Sequence, residues 1–86
     1  MTNVEEVKQH VAASVDQTQR ALAALRGVAD QLDDALGRLR MTAIGSFHPS
    51  ILDAISRLEQ ARVRVDEAQS LAQSAIGSAD AYRAIV

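Results

Sequence analysis

No cysteine occurs among the 86 residues, which excludes disulfide staples, thiol nucleophiles and thiolate metal sites. Tryptophan is also missing, and the aromatic inventory is Phe47 and Tyr82 alone. With so little aromatic volume and so much alanine, any core must be thin and helical, because alanine favours helix and fills little space. Proline occurs once, at Pro49, so the chain carries a single strong helix breaker. No apolar run approaches the roughly 20 residues needed to cross a bilayer, so no transmembrane segment is expected. The opening Met1-Thr-Asn-Val-Glu-Glu has no basic stretch followed by an apolar one, and the expected location is the cytoplasm, with secretion without a signal peptide as the alternative. An excess of positive charge is lacking too: nine basic residues face eleven acidic ones, for a net charge of −2. Without a basic stripe to neutralise phosphates, nucleic acid is not an expected partner.

What the sequence does contain is helical periodicity. Val4, Val7, Val11, Val15, Thr18, Leu22, Leu25, Ala29, Leu32, Leu36, Leu39 and Ala43 recur at steps of three and four, the stripe of one long amphipathic helix. A second stripe follows through Ile51, Ile55, Leu58, Ala61, Val65, Ala68, Ala72, Ala75, Ala79, Tyr82 and Val86. Between them, Ile44-Gly-Ser-Phe-His-Pro-Ser-Ile51 interrupts the pattern. The fold class predicted is therefore all-α: one domain over residues 1–86, a long antiparallel two-helix hairpin with a helix over about 3–43, a turn at 44–48 and a helix over about 49–85. Thr2 or Asn3 can cap the first helix, with Glu5 and Glu6 in its favourable first turn. Gly45, Phe47, His48, Pro49 and Ser50 form the turn and cap: proline suits a first helical position, His48 as cap sets Phe47 and Leu52 at staple spacing, and Ser50 with Asp53 is a competing capping box. A turn centred on Gly45 pairs Val4 with Val86, Leu22 with Ala68 and Leu32 with Leu58; a centre nearer Phe47 slides the register by about half a heptad, and the pattern permits both.

At about 1.5 Å per residue each arm is roughly 60 Å long, and two such helices leave much surface open. With Val15, Leu22, Ala29 and Leu36 at heptad position a, the g positions hold Ser14, Ala21, Val28 and Ala35 in the first helix and Arg64, Leu71, Ser78 and Ile85 in the second. Ala21, Val28, Ala35, Leu71 and Ile85 thus form an apolar flank beside the stripes. Chains this small seldom bury an adequate core alone. The expected partner is a second copy, or a related hairpin, completing a four-helix bundle. Gly27, Gly37 and Gly77 lie inside the helices at a cost of roughly 0.5–1 kcal/mol each relative to alanine, for which close approach of a partner helix and plain tolerance are equal explanations.

The chemistry-bearing residues do not assemble into a site. His10 and His48 stand about forty residues apart on one helix and its turn, and neither has a second strong ligand one helical turn away, so no metal and no cofactor is expected. Asp30, Asp33 and Asp34 read as a solvated helical face that can pair with Arg57, Arg62 and Arg64 across the hairpin. No nucleophile triad or phosphate loop appears, which predicts a non-enzymatic protein. A remote alternative is histidine phosphotransfer through His48, a residue that precedes Pro49 at a turn instead of projecting from a helix face.

The layout of a short alanine-rich hairpin, with a Gly-Ser-Phe-His-Pro turn and a tyrosine near the end of its second helix, resembles small actinobacterial helical-hairpin proteins and is similar to that of the WXG100 family. That family's Trp-x-Gly turn is replaced here by Gly45-Ser46-Phe47, and its Tyr-x-x-x-Asp/Glu export signal falls on Tyr82-Arg-Ala-Ile-Val86, without the acid. The resemblance implies pairing into a four-helix bundle. The function expected from the residues is a protein–protein interaction or scaffold module that acts through helix faces toward a larger, unidentified protein, with a leaderless secreted substrate or secretion chaperone as the alternative.

Overall fold

The computed structural model describes residues 3–85 and is all-helical among them: α1 spans Val4–Gly45 and α2 spans Pro49–Ile85. Thr2 as a cap and Val86 as the end of the second stripe lie outside the described residues. Helix α1 starts where its cap dictates, because Asn3 has extended backbone and its Oδ1 accepts from the Glu6 N–H at 2.8 Å, satisfying one of the donors every helix start leaves free. Glu5 and Glu6 follow in the first turn. Thr18 sits in the apolar stripe without cost to its hydroxyl, which donates to the Ser14 carbonyl at 2.8 Å.

Helix α1 runs to Gly45, two residues further than the periodicity indicates. No described residue has a positive φ, so the reversal uses no left-handed glycine; Ser46 turns to extended backbone and its N–H bonds back to the Ala43 carbonyl at 3.2 Å. His48 then caps α2. Its carbonyl accepts from Ile51 and Leu52, and its ring Nδ1 accepts from the Ser50 N–H at 3.1 Å, so the cap is His48 and not Ser50. Pro49 occupies the first helical position, where its missing N–H is not required. Phe47 remains 79% exposed; the staple spacing does not bury it.

Among the described residues, two ion pairs cross the hairpin and fix its register. Arg62 Nε donates to Asp33 Oδ1 at 2.9 Å, and Arg40 Nη2 to Glu59 Oε1 at 3.4 Å. The midpoints of both pairs fall beyond residue 47, and α1 ends at 45 while α2 begins at 49. The turn is therefore centred near Phe47, and the Gly45-centred pairing is excluded. This register sets Val15 level with Ala79, Leu22 with Ala72, Ala29 with Val65 and Leu36 with Leu58, two seven-residue ladders running in opposite directions.

Among the described residues, Val15, Leu22, Ala29 and Leu36 are the buried ones, and α2 contributes none. The molecule is a rod, 63 Å long and 21 by 15 Å across, in agreement with the arm length read from the sequence. Its radius of gyration is 19.3 Å, against about 12 Å for a compact domain of this length.

Candidate interaction face

Reversing the chain direction brings the e positions of the two helices to one side of the seam and the g positions to the other. On the e side stand Asp33 and Arg40 of α1 and Arg62 of α2, and both crossing ion pairs lie there. Arg62 is the half-buried member, with 27% of its side chain exposed, and it also bonds Asp66 one turn along α2. Its guanidinium is held above the ordinary arginine value, chiefly by the hydrogen bond to Asp33 and then by that to Asp66, against the opposing effect of desolvation. Arg57 is raised likewise by Asp53, one turn away. A raised value in the folded state means that the stabilisation is complete below the ordinary arginine pKa and fades only as pH climbs past it, so both arginines stay cationic at any physiological pH. Of the expected crossing pairs, Asp33 with Arg62 forms; Arg57 turns to Asp53 and Arg64 to Glu67, both on their own helix.

The g side carries almost no charge. Ala21 is exposed, Val28 is 41% exposed, Leu71 71% and Ile85 83%, while Ala35 is half-buried against the seam. Arg57 and Arg64, the charged g residues of α2, are each paired on their own helix, with Asp53 at 2.8 Å and Glu67 at 2.9 Å. The structure corrects the second stripe here. Ala75 and Tyr82, expected inside the hairpin, are exposed, and Ile76 is half-buried in their place. The physical cause is volume: Ile76, partly covered in the hairpin, takes more apolar surface out of water than alanine would provide. Leu71, Ala75, Ser78, Tyr82 and Ile85 consequently form one outward stripe at helical steps of four and three, a feature that sequence periodicity assigned to two separate faces. Val4, also expected inside, is 53% exposed at the open end.

The turn residues have structural roles. Gly45 ends α1, Pro49 opens α2, and Ser50 donates its N–H to the His48 ring. With Nδ1 engaged at a helix start, His48 does not project from a helix face as a phosphoacceptor would. His10 lies exposed far along α1. Depressions among Ser56, Gln60, Val63 and Arg64 and among Asp66, Ser70 and Leu71 are open and run along the outer side of α2. No helix among the described residues is long and apolar enough to cross a membrane. No family model, characterised protein or solved structure matches this chain.

Proposed function

We propose that the protein is a non-enzymatic interaction module that pairs through its g-side flank with a second copy of itself, and that the resulting four-helix bundle offers its charged e side to a larger protein. The observation that carries this reading is the division of the hairpin into one side crossed by ion pairs and one largely apolar side, whose arginines pair only within α2. Surface area supports it. The chain exposes 6243 Å², whereas a compact monomer of 9.2 kDa exposes about 4,900 Å²; the excess, about 1,300 Å², is more than the roughly 800 Å² per partner that a standard interface covers. A symmetric pairing is natural because the same flank serves on both copies.

The test is the pair of substitutions Val28→Glu and Leu71→Glu, which places charges at the centre of the flank without touching the buried a positions. Light scattering should give a dimer for the native chain and a monomer of reduced helicity for the variant. An unchanged mass in the variant removes this interface. Export without a leader is the second reading, and Tyr82 favours it, since its side chain is accessible on the last turns of α2. Loss of the chain from culture medium on Tyr82→Ala would support export; retention of the native chain inside the cell would contradict it.

A further inference from the structure

The flank is not uniform along the rod. On α2 its charged residues, Arg57 and Arg64, stand toward the closed end, while the outward stripe from Leu71 to Ile85 (Leu71, Ala75, Ser78, Tyr82, Ile85) has no charge. This stretch is its own complement when reversed. Leu71 and Ile85 stand seven residues to either side of Ser78, and Ala75 and Tyr82 three and four. An identical helix running the opposite way therefore sets leucine against isoleucine at the ends, tyrosine against alanine between them, and serine against serine at the centre. Helix α1 has the same property. Val7, half-buried one heptad before Ser14, continues the g ladder, so that Val7, Ser14, Ala21 and Val28 run large, small, small, large. Reversal about the point between Gln17 and Thr18 sets valine against valine and serine against alanine. The register that levels Val15 with Ala79 levels Ser78 with Asp16, so the two centres lie within about 2 Å of one another along the rod. Each helix thus places a twofold axis at the same height, nearer the open end than the closed one.

We infer that two hairpins pair in reverse and offset, about a twofold axis beside Ser78, so that only their open halves overlap and their closed ends point away from each other. This arrangement rests on the flank being the contact between copies, as proposed above, and specifies its geometry. Within the overlap, α1 lies against the partner's α1 over about 40 Å and α2 against the partner's α2 over about 20 Å. At about 10 Å of width per helix, the contact covers roughly 600 Å² on each copy, the lower end of the standard range. The offset keeps the flank's arginines in water, because the partner's α2 ends before it reaches Arg64 or Arg57. Other symmetric pairings bury them. An axis along the rod sets each α1 against the partner's α2, with Arg57 and Arg64 beside Ala35 and Val28; reversal about the middle of the rod lays Tyr82 and Ile85 over the ion pair of Asp53 with Arg57. Either takes water from charges that the offset leaves solvated. The closed ends, where Met41, Ile44 and Phe47 are exposed, then stand at opposite ends of the assembly.

Small-angle X-ray scattering of the native chain, with its mass measured alongside, tests the offset. Each closed end lies about 30 residues from the axis, so the dimer should reach a maximum dimension of roughly 90 Å, against 63 Å for one rod and much the same for two in full overlap. Because the chain has no cysteine, single substitutions report contacts cleanly. Ser78→Cys should form an interchain disulfide on mild oxidation, since the two copies of that residue meet at the axis, whereas Arg57→Cys should not; circular dichroism checks that both variants keep their helicity. A dimer with a maximum dimension near 63 Å, one that Ser78→Cys does not cross-link, or one that Arg57→Cys does, would overturn the offset while leaving pairing through the flank in place. A chain that stays monomeric at every concentration would overturn both.

Discussion

His48 holds the start of α2 with its own ring, since Nδ1 accepts from the Ser50 N–H and the carbonyl accepts from Ile51 and Leu52. His48→Ala should therefore cost about 1 kcal/mol, within the range of lost caps, and His48→Asn should recover most of it because asparagine also accepts at that position. Denaturant unfolding of the three proteins measures the difference; equal midpoints would show that the ring bond has no energetic role. Leu36 represents the other kind of residue, 3% exposed and level with Leu58. Leu36→Ala should cost about 2–3 kcal/mol, toward the low end for buried leucine because two unbraced helices can close partly over the gap. Phe47→Ser, at a largely exposed position, should leave stability within about 0.5 kcal/mol.

Among the elements, α1 and α2 are unequal partners. α1 buries four side chains at strict seven-residue spacing, whereas the apolar residues of α2 are spread over more than one face and none is buried. A Cβ built at Gly27, Gly37 or Gly77 meets nothing within 4 Å, so no close approach within the hairpin accounts for these glycines. Alanine at each should raise stability by about 0.5–1 kcal/mol, as thermal unfolding would show. Gly77 lies away from the flank, so Gly77→Ala should also leave the molecular mass of the assembly unchanged; loss of association would move the partner to that side of α2. Much of this level was legible beforehand. The helix bounds to within two residues and the α1 stripe apart from Val4 followed from spacing and proline, and capping chemistry included Asn3 and His48 among its alternatives. The register did not, because alanine ladders slid by half a heptad still match alanine, and only the reach of Arg62 to Asp33 and of Arg40 to Glu59 distinguishes the two. The exchange of Ala75 for Ile76 was hidden for a related reason: alanine suits either face of a helix, and the choice was made by the volume of its neighbour. The apolar tip was visible as residues but not as a surface, since staple spacing suggested that Phe47 would be covered.

At the scale of the whole molecule, the chain is a 63 Å rod with four buried side chains among the described residues and more exposed surface than a compact chain of its mass. Burying the flank of Val28, Leu71, Ala75, Tyr82 and Ile85 against a second copy would supply the apolar contact that one hairpin cannot, and would leave the ion-paired side and the tip free for other partners. Stability should therefore depend on protein concentration, with the unfolding midpoint rising as the chain is concentrated; a midpoint independent of concentration would indicate a self-sufficient monomer. The most direct measurement is the molar mass of the native chain in solution by light scattering over a range of concentrations. A value of twice the 9.2 kDa chain mass, falling to the chain mass in the Val28→Glu, Leu71→Glu variant, is the predicted result, and a native chain that stays at its own mass at every concentration would contradict it.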